Sequence, residues 1–178
     1  MLRHDFREIL ASEMISVTGG LFAGFLLSFI TNKLEMIPAL LILLPGFLEM
    51  RGNISGSLSA RLSSGLFVGA FRKEYNKETI VRGNVAAALI LVIVLSIFMG
   101  CAAYYLSAEF FGIVNPNIIF VALIAGVLSA LIEIPITIVL TFWLFKRGHD
   151  PNNIMGPYVT ATADILSILS LLIGLMLI

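Results

Sequence analysis

The chain has 178 residues, 59% of them hydrophobic and 12% charged, with a mean hydropathy of +1.03; a soluble domain is about half apolar and about a quarter charged. This composition excludes an ordinary soluble domain and indicates an all-α integral membrane protein sitting in a lipid bilayer. Formal net charge is +0, which argues against a nucleic-acid partner, and the one cysteine, Cys101, excludes an intrachain disulfide.

A hydrocarbon core about 30 Å thick takes roughly 20 apolar residues of helix. Five stretches meet or approach that length: residues 9–30, 36–71, 85–106, 118–145 and 154–178. Before the first, "RHDFRE" mixes both charge signs and no small-residue cleavage motif follows the apolar run, so the N-terminus is expected to be retained. The first span carries Glu13 near its start. The second is too long: at about 1.5 Å per residue it would run roughly 54 Å as a straight helix. It is therefore predicted to be broken or kinked near Pro45-Gly46, where proline removes a backbone donor and clashes with the preceding turn. Tyr104, Tyr105 and Trp143, at the ends of the third and fourth spans, read as interfacial anchors. In the loop "KRGHDPNN", His149 and Asp150 read as solvated.

Lysine and arginine in the connections set the orientation. Arg3, Arg7, Arg72, Lys73, Lys77, Arg82, Lys146 and Arg147 all fall on one side and Lys33 alone on the other. The N-terminus is predicted cytoplasmic and the C-terminus external. With no internal repeat or linker, residues 1–178 form a single transmembrane domain, a multi-pass protein of the cell (plasma) membrane.

Three spans carry polar residues in rows. In the second, "LLPGFLEMRGNISGSLSARLSS" holds Glu49, Asn53, Ser57 and Arg61 four residues apart, a polar face, beside a small-residue row of Gly52, Gly56, Ala60 and Ser64 suited to close helix packing. Ser129, Glu133, Thr137 and Thr141 repeat the spacing in the fourth span. The fifth presents Thr160, Asp164 and Ser167; Asp164 lies roughly 12 Å along the axis from Gly156, near mid-membrane. Pro157 fits near the start of that helix. A charge at the bilayer centre costs about 2.5 to 3.5 kcal/mol even on the lenient insertion scale, so such rows face protein or water. Three of them suit a hydrophilic path for cations. Structural readings stand beside that one: Glu49 and Arg61 as an ion pair, the hydroxyls and Asn53 as helix-to-helix hydrogen bonds, Glu133 satisfied by backbone freed near Pro135. Asp164 has no basic residue in its own span and is the first candidate for function. There is no H-E-x-x-H and no G-x-S-x-G, so an enzyme is not expected.

Two segments carry a family resemblance. "IPALLILLPGFLEMRGNISGSLSARLSSGLFVG", with its proline, Gly52-Asn53 and Arg61-Leu62-Ser63, and "GHDPNNIMGPYVTATADILSILSLLIG", with Asp150-Pro151, Gly156-Pro157, Thr160 and Asp164, resemble the second and fifth helices of the MgtE family of divalent-cation transporters. The likeness is to its short, membrane-domain-only branch, related to the eukaryotic solute-carrier members. The resemblance implies five transmembrane helices, a homodimer with the ion path at its two-fold interface, and Asp164 as the ion-binding aspartate of each copy. It implies Mg²⁺ as transported ion and no organic cofactor; the cytoplasmic N-terminal and CBS domains by which bacterial members sense Mg²⁺ are a point of departure, with no counterpart expected in these residues.

Mg²⁺ takes octahedral oxygen ligation and sheds water reluctantly, so two facing Asp164 carboxylates would hold it hydrated. Thr160, Ser167 and the backbone near Gly156 would assist, with Glu49, Asn53, Ser57, Arg61, Glu133 and Thr137 lining or supporting the path. Inward movement of a dication gains roughly 4.6 kcal/mol per 100 mV, enough to drive uptake. The rival readings are a proton- or sodium-coupled carrier or exporter of another cation or solute, and a non-transporting membrane scaffold.

Overall fold

The computed structural model describes residues 2–29, 37–71 and 74–177, with the side chains of 2–4 and 74–77 left aside. These residues form five helices: α1 (Leu2–Ser28), α2 (Pro38–Phe67), α3 (Glu74–Phe111), α4 (Asn117–Lys146) and α5 (Pro151–Leu177). A hydrogen-bonded helix satisfies every backbone group inside its own segment, the condition for crossing lipid. Four helices, α1, α3, α4 and α5, are long and apolar enough to cross a membrane. The expected fifth span, α2, falls short on composition because Glu49, Arg51, Asn53 and Arg61 interrupt its apolar run.

Of the break or kink expected near Pro45-Gly46, the break is absent: α2 runs as one continuous helix through Pro45. Its length is limited instead at the C-terminal end, where Gly69 takes a left-handed φ of 72°. There the amide of Ala70 donates to Gly65 O at 2.9 Å and that of Gly69 to Leu66 O at 3.1 Å. The same double bond closes α4, with His149 N to Leu144 O and Gly148 N to Phe145 O, both at 3.1 Å, around Gly148 at φ 83°. Both are Schellman ends, which call for a residue without a Cβ penalty at the left-handed position. Pro151 then starts α5, and Asp150 Oδ1 accepts from the Asn152 amide at 2.8 Å, a helix-start cap rather than a merely solvated side chain.

α2, α4 and α5 pack on one another, α3 lies against α2 and α4, and α1 lies against α5. The core runs from Leu40, Leu43 and Phe47 of α2 through Val92 of α3 and Val121, Ala122 and Ala125 of α4 to Ile168 and Leu171 of α5. Small residues set the helix spacing. A Cβ on Gly19 would stand 2.6 Å from Ala161 Cβ, and one on Gly100 2.7 Å from Ile119 Cα, so α1 meets α5 and α3 meets α4 at backbone range. Most of α1 is exposed, with Leu21, Phe22, Phe25 and Phe29 turned away from the bundle.

The His149 expectation also changes. Its Nδ1 lies 2.7 Å from Glu8 Oε1, Asn153 Nδ2 donates to Glu8 Oε2 at 3.2 Å, and Ser12 Oγ reaches Asn153 O at 3.0 Å. This polar cluster ties the start of α1 to the start of α5.

Candidate functional site

Residues 49 and 51 lie about 200° apart around a helix of 3.6 residues per turn, so α2 carries two polar rows on nearly opposite faces. The row Glu49, Asn53, Ser57 and Arg61 is exposed. The other, Arg51, Ser55, Ser59 and Ser63, is buried and faces α4. Arg51 Nη2 donates to Glu133 Oε2 at 2.6 Å, with both side chains 0% exposed. About two turns further on, Ser59 Oγ and Thr141 Oγ1 bond at 2.9 Å. Thr141 also donates to Thr137 O at 2.7 Å. The polar row of α4 therefore meets the second row of α2, and Glu133 is neutralised by an arginine rather than by backbone near Pro135.

The exposed row of α2 meets α5 across a cleft of about 240 Å³ lined by Pro45, Leu48, Glu49, Gly52, Asn53, Thr160 and Asp164. The helices come close here: a Cβ on Gly52 would fall at ordinary van der Waals contact with Thr160, 3.5 Å from its Oγ1. Glu49 Oε1 accepts from Asn53 Nδ2 at 2.9 Å, and Thr160 Oγ1 donates to Gly156 O at 3.1 Å. Asp164 is half-buried and Glu49 exposed. Neither forms an ion pair among the described residues. The pairing of Glu49 with Arg61 is absent, since Arg61 Nε donates to Asn84 Oδ1 at 2.8 Å. The polar atoms lining the cleft are two carboxylates, an amide and a hydroxyl, with no basic group among them. Hard oxygen donors of this kind suit hard cations such as Mg²⁺ or Ca²⁺.

The remaining sequence candidates divide around this cleft. Ser57 and Arg61 continue its exposed row along α2. Gly156 is exposed one turn before Thr160, with its carbonyl already engaged. Ser167 is fully buried, outside the cleft lining, and its hydroxyl has no protein partner among the described residues. Thr137 is buried likewise, its Oγ1 unpartnered, on the α4 side with Glu133. A larger cleft of about 640 Å³, lined by Val81, Ile138, Val139, Phe142 and Trp143 with Glu78 and Lys146 at its edge, is mostly apolar and offers no comparable set of oxygens.

Arg51 is the residue that sequence reasoning passed over. Its signal was present in the four-residue spacing of Arg51, Ser55, Ser59 and Ser63. That row interleaves with Glu49, Asn53, Ser57 and Arg61, and spacing alone does not say which of two polar faces points inward.

Comparison with known proteins adds one finding: the sequence model of the family MgtE, divalent cation transporter, matches residues 44–174. No curated protein and no solved structure matches.

Proposed function

The chain belongs to the MgtE family of divalent cation transporters, and we propose that it carries hydrated Mg²⁺ across the plasma membrane along a path between two copies of itself, with Asp164 of each copy at the centre. The observation that carries this reading is the acidic cleft of Glu49, Asn53, Thr160 and Asp164, free of any basic side chain, opening on the outer face of one chain. Asp164 stands near the middle of α5 and Glu49 in the first half of α2. Exposed carboxylates at that depth are costly against lipid and tolerable against water or a second protein surface. A second copy applied to this face encloses the cleft and doubles its carboxylates.

In this reading α2 is the fifth span despite its polarity. At about 1.5 Å per residue its 30 residues reach about 45 Å, more than a bilayer core requires. The N-terminus is cytoplasmic and the C-terminus external, by the lysine and arginine asymmetry of the connections. Mg²⁺ keeps its inner waters while Asp164 and Glu49 attract it, and Asn53 and Thr160 bond to those waters. The membrane potential drives entry.

The test is Mg²⁺ flux into liposomes holding purified protein. The expected result is flux in the parent chain and its loss, by at least about tenfold, in Asp164→Asn with dimer content unchanged. Flux that survives the substitution overturns the Asp164 site, and a flux-competent monomer overturns the shared path.

A further inference from the structure

Arg51 is a permanent positive charge buried in the middle of a helix that also walls the cation cleft. Its chain neighbour Gly52 lines that cleft. A guanidinium cannot shed its charge by deprotonation, so its field at the cleft must be answered by a fixed anion. Glu133 is that anion. It lies on the side of Arg51 facing α4, outside the cleft lining.

The form of the contact matters. A structural Arg–carboxylate clamp is typically bidentate, two parallel N–H···O bonds giving rigid geometry. Here Nη2 alone bonds to Glu133, and Arg51 Nε and Nη1 have no protein partner among the described residues. Arg51 is therefore held by charge more than by a saturated hydrogen-bond cage. Removing its counter-charge would leave an uncompensated cation buried in the same helix, on the face turned from Glu49 but one residue from the cleft-lining Gly52, and in a low-dielectric interior a dication in the cleft feels that repulsion twice over.

We infer that Glu133 acts on transport through Arg51, as the positioning counter-charge that keeps the cleft attractive to cations, and is not itself an ion ligand. This rests on the Asp164 site proposed above. It also gives the buried rows of α2 and α4 a role besides packing: they hold a compensated charge pair behind the cleft wall, so that Asp164 and Glu49 alone face the ion.

The experiment measures Mg²⁺ flux against Mg²⁺ concentration in liposomes, normalised to folded dimer. Glu133→Gln is expected to raise the half-saturating concentration at least about tenfold, and adding Arg51→Met to it to return that value to within about threefold of the parent. A ligand role for Glu133 predicts no rescue in the double variant. A purely structural role predicts less folded protein with the half-saturating concentration of the folded fraction unchanged. Either result overturns the inference. Should Glu133→Gln not fold, the exchanged pair Arg51→Glu with Glu133→Arg decides. It keeps an ion pair but puts the carboxylate on α2 beside Gly52, and the half-saturating concentration is expected to fall by about threefold or more; an unchanged or higher value overturns the inference. Asp164→Asn separates the two readings. If it abolishes flux while Glu133→Gln leaves half-saturation unmoved, only the counter-charge fails; if it leaves flux intact, the site itself fails.

Discussion

At the residue scale the two carboxylates of the proposed site are unequally placed. Asp164 is half-buried between α2 and α5, whereas Glu49 is exposed and already engaged by Asn53 at 2.9 Å. A carboxylate that shares its charge with an amide gives less to a passing ion, so Glu49→Gln is expected to weaken apparent Mg²⁺ affinity by about three- to tenfold while leaving maximal flux measurable. Titrating flux against Mg²⁺ checks it, and complete loss would give Glu49 the rank assigned here to Asp164. Asp164 was legible in the sequence because an acid amid apolar residues has few innocent explanations. Arg51 was not, because its meaning depends on Glu133, which is brought to 2.6 Å by the packing of α2 on α4 and by nothing local. The Glu49–Arg61 pairing failed on helix geometry: twelve residues along one continuous helix separate them by about 18 Å, and Arg61 bonds instead to Asn84 of α3 at 2.8 Å.

At the scale of the elements, all five helices were legible as long, largely apolar runs, although α2 falls short of the composition of a membrane span. Their ends were less so, since residues such as Glu74 to Arg82 and Pro151 to Asn153 are polar enough to read as loop yet continue helices past the apolar run. Pro45 shows the limit of a propensity rule: the helix passes through a residue that commonly ends one, as helices packed among others can where neighbouring groups satisfy the backbone that proline frees. Packing between elements rests on close approaches that no spacing rule identified. At Gly100 an added Cβ would lie 2.7 Å from backbone of α4, which cannot retreat as a side-chain tip can. Gly100→Val should separate α3 from α4 and destabilise the fold by about 1 to 3 kcal/mol, the usual cost of overpacking. Thermal unfolding in detergent measures it. Gly24, where an added Cβ meets nothing within 4 Å, serves as the control, and Gly24→Ala should be close to neutral. Gly148→Ala is a third kind of case, with free space around it but a φ of 83°. It should cost about 1 to 2 kcal/mol through backbone strain alone.

At the scale of the whole molecule, one chain leaves its most polar row outside. Glu49, Asn53, Ser57 and Arg61 are all exposed along α2, and the proposed dimer covers them. Ser57→Cys, in a background where the exposed Cys101 is replaced by serine, is therefore expected to cross-link two chains in the membrane with a short bifunctional thiol reagent. Cysteine placed at Phe25 on the outer face of α1 should not. The path so formed has a further, quantitative signature. If the hydrated dication moves with no partner ion, each 100 mV contributes about 2.3 kcal/mol per charge, or about 4.6 kcal/mol for Mg²⁺. At about 1.4 kcal/mol per tenfold change, that is an equilibrium accumulation of about two thousandfold. Liposomes given an inside-negative potential by a potassium gradient and ionophore should therefore concentrate Mg²⁺ far beyond the outside level, and collapsing the potential should release it. A proton-coupled exchanger would instead follow an imposed pH gradient, and accumulation tracking pH with the potential clamped at zero would replace the uniport described here with coupled exchange.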